Sequence, residues 1–369
     1  MLDSVVTSKK SLALICGGQS GEHEISLLSA FNVLQGINLK FYDVVVIGIS
    51  KKGLWSYYSD LDNCLLNVSD PKKITLNSAI GIPTALITTE KGPSLIRVTD
   101  GQLLTRLDIA FPILHGPFGE DGLIQGLFKL YGLPYVGSAT LSSSMTMDKD
   151  VTKRLLQHAN IPVVPFLAFD RDELEKIDFE SVTKKLGLPI FVKPANAGSS
   201  LGVSKVTAEA HFKKRIEEAF RHDRKILIET AVMAREIECA VLGNTDIKAS
   251  VPGEIIPRKG DFYSYVAKYL DDKGAELVAP AELNAEQIKR VQQMAILAYK
   301  VLGCEGLARV DFFLTSDDRL YINEINTMPG FTNISMYPRL WGLSGIPYAE
   351  LIETLIQLGL SRSIFFPPA

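Results

Sequence analysis

Near the C-terminus, two strand-length apolar runs, GLARVDFFLT and LYINEIN, flank the four residues SDDR and carry acids where a sheet interior should have none. Side chains alternate faces along a strand, so Arg309 and Asp311 share one face, as do Glu324 and Asn326. A turn centred on Asp317 and Asp318 pairs Asp311 with Glu324 and Arg309 with Asn326. Acids directly opposed across two strands repel, and two carboxylates with an amide oxygen form an all-oxygen set that suits magnesium. The same residues alone also describe a solvated face balanced by Arg309. Phe312, Leu314, Tyr321 and Ile325 bracket the charges as core strands do, which favours the metal.

Length and charge narrow the rest. At roughly 150 residues per domain, 369 residues make two or three units. A net charge of −3 gives no general attraction to nucleic acid or anionic membrane. No apolar stretch approaches the roughly 20 residues needed to span a bilayer. The start, MLDSVVTSKKSLALICGG, lacks a signal peptide's order, because its apolar run is short and ends in glycines. The four cysteines are far apart with no zinc-like spacing, and reduced cysteines point to the cytoplasm. His23-Glu24 begins an H-E-x-x-H pattern, but Leu27 stands where the second histidine belongs.

SLALICGG followed by QSGEHEISLLSAFNVLQGI is an apolar strand, a glycine pair and a helical pattern with Ile25, Leu28 and Val33 broadly on one side. FYDVVVIGIS, LDIAFPILHG and LPYVGS read as further strands, with a helix at 123–130 between the last two. The first unit, 1–143, is therefore expected to be a Rossmann-like α/β domain. Residues 55–103 mix polar turns with short strands and read as a peripheral elaboration. A second unit, 144–229, opens with a helix that stops before Pro162. It continues with a helix over 172–185, the strand LPIFVKPA, a helix over 211–220 and the strand KILIET. The third unit, 230–369, holds EIECAVLG, a charged loop at 258–276, a helix over 286–302, the hairpin and a terminal helix near 349–358. The fold class is α/β, passing into α+β in parts, in three domains.

Four further segments carry chemistry. In VKPANAGSSLG, Lys193 ends a strand and leads into a loop of glycines and serines, where backbone N–H groups and hydroxyls can approach phosphate. Such a loop alone equally describes a linker; the lysine before it and the acid hairpin after it favour phosphate. Neither G-x-x-x-x-G-K-[ST] nor G-x-G-x-x-G occurs, which excludes a Walker P-loop and argues against a dinucleotide enzyme. ILIETAVMAREIE sets Glu229 at a strand end and Glu236 beyond a short connector, where backbone can read an adenine edge and Glu236 a ribose; an amphipathic edge strand is the plainer alternative. HGPFGEDG crowds His115, Glu120 and Asp121 at the carboxyl end of a strand, where α/β folds bind ligands. Glu22 precedes a helix start, so it can cap the helix or hold an ammonium beside an anion-attracting terminus. The loop DFYSYVAKYLDDKGAE suits a lid that excludes water.

Together GGQSGEHEIS, HGPFGEDG, MDK, VKPANAGSS, the KY lid and RVDFF…NEINTMPGFT resemble the ATP-grasp superfamily and, within it, the D-alanine–D-alanine ligase family, in order along nearly the whole chain. The resemblance implies an N-terminal pre-ATP-grasp domain, ATP as nucleotide, and two magnesium ions, for which manganese can substitute, on Asp311, Glu324 and Asn326. It implies ATP contacts from Lys149, Lys193, Glu229, Glu236 and Lys268, with Val232 giving backbone at the adenine. Glu22 would bind the first D-alanine's ammonium, Ser199 and Tyr269 would join that site to the lid, and His115 would lie beside the first substrate. Arg309 and the Gly330 N–H resemble the family's oxyanion-stabilising pair, while Ser335 and Met336 match positions that bind the second carboxylate. The implied reaction makes D-alanyl-D-alanine for peptidoglycan through D-alanyl phosphate, in a cytoplasmic homodimer. Tyr269, where histidine could stand, resembles the dipeptide-forming enzymes more than the D-lactate-using relatives. Ser264 stands where many members carry an acid and takes no role. Another ATP-grasp ligase and a nucleotide sensor without turnover are the alternatives; a sensor has no need of Arg309.

Overall fold

The computed structural model describes residues 9–257, 275–332 and 334–362. Its first sheet is built on β1 (Lys10–Gly17) and β2 (Tyr42–Ile49), parallel neighbours whose inner residues are almost all buried, as a parallel strand covered on both faces requires. β3 (Trp55–Tyr58) pairs antiparallel with β2. After the small ribbon of β4 (Leu65–Leu66) and β5 (Thr75–Leu76), β6 (Ile82–Thr89), β7 (Gly92–Arg97) and β8 (Leu103–Arg106) extend that edge. β9 (Ile109–Ile113) lies parallel to β1 on its other side and completes the order β8-β7-β6-β3-β2-β1-β9. The 55–103 stretch is thus part of the main sheet rather than an appendage. LPYVGS forms no full strand: Tyr135 makes one parallel bridge to Ala110, because Pro134 lacks an N–H and Gly137, at φ 104°, turns the chain away.

α1 (His23–Gly36) crosses from β1 to β2, and α2 (Leu123–Leu130), α3 (Thr140–Met147) and α4 (Lys149–His158) lead to the second sheet. Asp148 caps α4 by accepting from the N–H groups of Asp150 and Val151. The second sheet has the order β10-β13-β11-β12, from β10 (Phe166–Asp170), β11 (Ile190–Pro194), β12 (Ser204–Val206) and β13 (Lys225–Thr230). The helix expected over 172–185 is two pieces, a 3-10 turn at Arg171–Lys176 and α5 (Phe179–Leu186). Asp178 restarts the helix by accepting from the Ser181 N–H, a local bond that competes with continuing the first turn. α6 (Glu209–Ala219) covers the same face as α5 over a core of Val182, Ile190, Phe212 and Ile226. The expected unit divisions at 143/144 and 229/230 fall inside α3 and β13.

The third sheet combines β14 (Ala234–Leu242), β15 (Lys248–Ala249), β16 (Gly253–Pro257), β17 (Ala275–Val278), β18 (Leu307–Thr315) and β19 (Leu320–Asn326). Its back face buries Ile237, Val310 and Phe312 against Val291 and Ala295 of α7 (Ala285–Val301). α8 (Met336–Leu343) and α9 (Tyr348–Ser361) then return to the first sheet. One core joins Leu14 and Phe111 of that sheet and Leu27 of α1 to Phe331, Tyr337, Leu351 and Ile352. This shared core fixes the ends of β1 and β9 against the loop that follows β19.

The close approach of β1 to β2 gives a stability test. Gly17 has φ 90°, and a Cβ there would lie 2.2 Å from Ile49 O, whereas Gly101, at φ 73°, would meet nothing within 4 Å. A left-handed non-glycine residue costs about 1–2 kcal/mol by itself, and about 1 kcal/mol corresponds to roughly 2–4 °C in a chain of this size. Gly101→Ala should therefore lower the unfolding midpoint by only a few degrees. Gly17→Ala should lower it by clearly more than twice that in differential scanning calorimetry, and equal shifts would refute the steric account.

Candidate active site

The acid hairpin has the expected partners at its centre: Asp311 faces Glu324 and Arg309 faces Asn326. It reaches them by a different route. Near the turn Phe312 pairs with Ile322, Phe313 with Tyr321 and Leu314 with Leu320, one residue off the register that a turn centred on Asp317 and Asp318 implies. The loop is three residues, 316–318, with Asp318 left-handed at φ 63°. Arg290 and Gln287 at the start of α7 grip the Asp318 carboxylate at 2.8–2.9 Å and hold that turn. A bulge then leaves Asn323 without a partner across the pair and restores the register at Asp311.

A third acid joins the row, because Glu238 of β14 lies opposite Asp311 on its other side. Arg309 grips Asp311 with two bonds of 2.7 Å and lies 3.3 Å from Glu238 Oε2. Asn326 donates to Asp311 Oδ2 at 3.0 Å, and Lys149 Nζ stands 3.7 Å from Glu324 Oε2. No group of three or more His, Cys, Asp or Glu with metal geometry occurs among the described residues. Asp311, Glu324 and Asn326 still fit magnesium by donor chemistry: all offer hard oxygens, two are opposed carboxylates, and the ion's other ligands would be phosphates and waters.

The loops after β1, β9 and β11 converge on this face. Ser199, left-handed at φ 48°, donates its hydroxyl to Glu22 Oε1 across the cleft. Gly116 and Gly198 leave room for that carboxylate, since a Cβ on either would lie within 2.9 Å of Glu22 Oε2. Lys149 Nζ donates to Ala197 O at 2.7 Å and ties α4 to the same loop. A cleft lined by Gly116, Glu120, Lys149, Gly198, Glu324 and Asn326 results.

His115 is buried, and both ring nitrogens are engaged, Nδ1 with Met328 O at 3.0 Å and Nε2 with Ser29 Oγ at 3.1 Å. A carbonyl only accepts, so Nδ1 carries the proton and Nε2 accepts from the serine hydroxyl. Burial lowers the His115 pKa, against the pull of Glu22, which agrees with a neutral ring. The histidine therefore braces the 328–331 loop that carries Gly330. Glu120, which the sequence reading left without a role, takes the N–H of Gly116 at 2.8 Å and of Met328 at 3.3 Å. Burial, with Glu22 adding to it, pushes its carboxyl up to about 8.

Lys193 Nζ lies 2.5 Å from Glu229 Oε2. The β11–β13 register explains the meeting: Glu229 lies opposite Phe191, two residues before Lys193, so the two side chains reach diagonally over one face. Val232 sits in the connector between β13 and β14, and Glu236 lies on the same face of β14 as Glu238. A Cβ on Gly330 would lie 2.8 Å from Ser335 Oγ, which also accepts from the Thr332 N–H at 2.9 Å. Met336 is a buried core residue at the first turn of α8, so its backbone N–H, not its side chain, is what can meet a carboxylate. Lys268 and Tyr269, with 258–274 of the expected 258–276 lid, lie outside the described residues, and Ala275 and Glu276 open β17. Sequence reasoning missed Lys153 and Glu238, and it placed Glu120 in the HGPFGEDG cluster without giving it a role.

Glu120 also makes stability depend on pH. Its folded-state pKa, about 8, stands above an unfolded value near 4.3, so between them the native state binds the extra proton and stability falls as pH rises. Glu120→Gln removes that dependence. Urea titrations at pH 6 and pH 8 should show the variant gaining on the wild type at the higher pH, and a constant difference would contradict the assignment.

The comparisons agree along the length of the chain. Residues 11–138 match the family model described as D-ala D-ala ligase N-terminus, and residues 155–357 match D-ala D-ala ligase C-terminus. The chain is 52% identical over 355 residues to a D-alanine--D-alanine ligase of Shouchella clausii, covering 96% of each. It is 48% identical over 354 residues to D-alanine--D-alanine ligase A of Escherichia coli K12, again over 96% of each. Among solved structures it resembles the D-alanine-D-alanine ligase from Coxiella burnetii, with a TM-score of 0.84 and 36% identity over 96% of this chain and 95% of that one. It also resembles the VanG D-Ala:D-Ser ligase from Enterococcus faecalis, with a TM-score of 0.83 and 35% identity over 95% and 99%. With two matching models in series and half its residues shared with such relatives, the chain belongs to the D-alanine–D-alanine ligase family.

Proposed function

We propose that the chain uses ATP to join two D-alanine molecules, releasing D-alanyl-D-alanine, ADP and phosphate. The observation that carries this reading is Arg309, which stands in the acid row and also acts electrostatically, as Glu22 does, on buried His115 and half-buried Glu120. One guanidinium thus serves the side suited to a nucleotide and the side suited to an amino acid.

Glu22, steadied by Ser199, takes the first D-alanine's ammonium and leaves its carboxylate facing the nucleotide. Glu229 and the Val232 backbone hold the adenine, and Glu236 the ribose. A carboxylate oxygen attacks the γ-phosphorus, the bond to the β,γ-bridging oxygen breaks, and ADP leaves. Lys149, Lys193 and Lys268 offset charge in this largely electrostatic transfer. Asp311, Glu324 and Asn326 would hold two magnesium ions, or manganese in their place, which neutralise phosphate charge when bound. Ser335 Oγ and the Met336 N–H hold the second carboxylate while its amine attacks the acyl phosphate carbon. Phosphate leaves and the amine loses a proton. The transient oxyanion accepts from Arg309 and from the Gly330 N–H, braced by His115 through the neighbouring Met328 carbonyl. The 258–276 lid with Tyr269 keeps water from the acyl phosphate.

The reaction supplies peptidoglycan precursors in the cytoplasm, consistent with four free, buried cysteines, and two copies of the chain form a homodimer. No helix among the described residues is long and apolar enough to cross a membrane. Phosphate release with ATP and magnesium should require D-alanine and not proceed with L-alanine. Activity confined to a mixture with D-serine or D-lactate would reassign the second substrate, and none with any acceptor would favour a sensor. Removing one oxyanion donor costs roughly 10²–10³ in kcat. Arg309→Ala should therefore lose about that factor while binding ADP within about threefold of wild type, and near-normal turnover would remove its role.

A further inference from the structure

Lys153, on α4, has no solvent exposure and sits beneath the second sheet. Its Nζ is 3.1 Å from Glu229 Oε1 and 5.9 Å from the Phe166 ring centroid. Lys193 occupies the other oxygen of the same carboxylate. Two ammonium groups therefore share one carboxylate, one positive charge more than that carboxylate needs. Neither Lys153 Nζ nor Glu229 Oε1 makes an aligned hydrogen bond, although both are sealed from solvent. Charge attraction at 3.1 Å, rather than bond alignment, holds that pair.

Lys153 is aimed there by a second set of bonds. Lys225, the first residue of β13, reaches Asp148 at 2.6 Å and Asp150 at 3.2 Å at the start of α4. Helix and strand are thus pinned near one end, and one helical turn further Lys153 meets Glu229 on that same strand. Lys193 is placed differently. It is the second-last residue of β11, the strand that leads into the loop of Gly198 and Ser199. An ammonium that turns its N–H groups toward phosphates, as Lys193 would, gives up part of its 2.5 Å hold on Glu229. If Lys193 were the only partner, its departure would strand a buried carboxylate, which costs several kcal/mol or forces a proton onto it.

We propose that Lys153 is a positioning residue, a standing counter-ion that frees Lys193 for the nucleotide's phosphates and keeps Glu229 an acceptor-only carboxylate that selects a purine bearing an amino group. The inference rests on Glu229 and Lys193 being nucleotide ligands. An ionised carboxylate accepts from the 6-amino group of adenine and faces the 6-oxo group of hypoxanthine lone pair to lone pair. Burial opposes the charge on Glu229, yet Lys153 and Lys193 together hold its carboxyl below the usual range. Burial in turn pushes Lys153 down to about 8, with Lys193 adding to that. Without Lys153, Glu229 takes up a proton when Lys193 leaves and can then donate to an oxo group.

The test compares ATP with inosine triphosphate in D-alanine-dependent phosphate release, and ADP with inosine diphosphate by calorimetry. Wild type, Lys153→Met, Lys153→Arg and Glu229→Gln are measured as full chains. Sites that hydrogen-bond a defining group discriminate strongly, so Lys153→Met should reduce the ATP preference in kcat/KM by about tenfold or more. The change should fall mainly on KM, with the ADP preference shrinking in parallel. Lys153→Arg, which keeps a cation, should restore the preference to within about threefold of wild type. A purely structural lysine predicts lower stability and lower rates with both nucleotides at an unchanged ratio. That result in folded Lys153→Met, with Glu229→Gln still shifting the ratio, overturns the role of Lys153. A ratio unmoved in both variants overturns the placing of Glu229 at the purine and the inference with it.

Discussion

Glu238, Asp311 and Glu324 stand side by side across three adjacent strands, and a row of like charges at that spacing repels itself unless cations lie between. Arg309 meets that need in this structure, with both its contacts to Asp311 at 2.7 Å and a third toward Glu238. The acids cannot relieve the repulsion by moving apart. Behind them Ile237, Val310 and Phe312 pack on α7, and Arg290 of that helix clamps the hairpin turn. Rigidity on the apolar face thus keeps the polar face short of positive charge, and that shortage makes it a place for metal ions and phosphates. Glu238 adds a consequence: if Asp311 turned to a metal, Arg309 would still have a carboxylate to lean on.

The rest of the cleft is arranged around small differences in what surrounds each acid. Glu22 is kept accessible to a ligand's ammonium by Gly116 and Gly198, which withhold the Cβ atoms that would crowd it. Glu120, on the Gly116 loop, is half-buried, and its carboxyl rises to about 8 while it accepts the N–H groups of Gly116 and Met328. His115 stays neutral and spends both nitrogens on bracing. It connects α1 through Ser29 to the loop bearing Gly330, and Phe331 donates its N–H to the same serine at 3.3 Å. Phe331 also stacks edge-on against Phe111 of β9, with ring centroids 6.4 Å apart. The loop from Met328 to Phe331 is consequently set by the first sheet as much as by the third.

Much of this was legible in the sequence because strands alternate faces and glycines mark loops. The partners Asp311–Glu324 and Arg309–Asn326 were readable, yet through two departures that cancel. A three-residue turn shifts the register by one, and the bulge at Asn323 shifts it back. Asp318 in a left-handed conformation and an unpaired asparagine are tertiary outcomes, fixed by Arg290 and by the sheet, and local propensity does not announce them. The helix expected over 172–185 failed for a local reason, a capping aspartate at 178 inside a helical pattern. Lys153 and Glu238 were invisible for a deeper one. A lysine in MDKDVTK reads as a solvent-facing helical residue, and only the packing of α4 under β13 turns it inward.

Lys153 and Glu238 show the same logic at two ends of the cleft. A nucleotide triphosphate with its metal ions brings large charges of both signs into a space that excludes water, and bare buried charges would be costly while the cleft waits. In this structure two of the groups expected to engage a ligand are held by partners of opposite sign: Lys193 by Glu229, and Asp311 by Arg309. Exchange of those partners for ligand groups would leave Glu229 and Arg309 exposed to the same penalty unless each kept a second companion. The structure supplies one for each, Lys153 at 3.1 Å from the carboxylate and Glu238 at 3.3 Å from the guanidinium. Both companions belong to the scaffold, one on a helix pinned by Lys225 and one on a central strand. A binding site built from paired charges can trade one partner without losing its fold, because the second partner belongs to the scaffold.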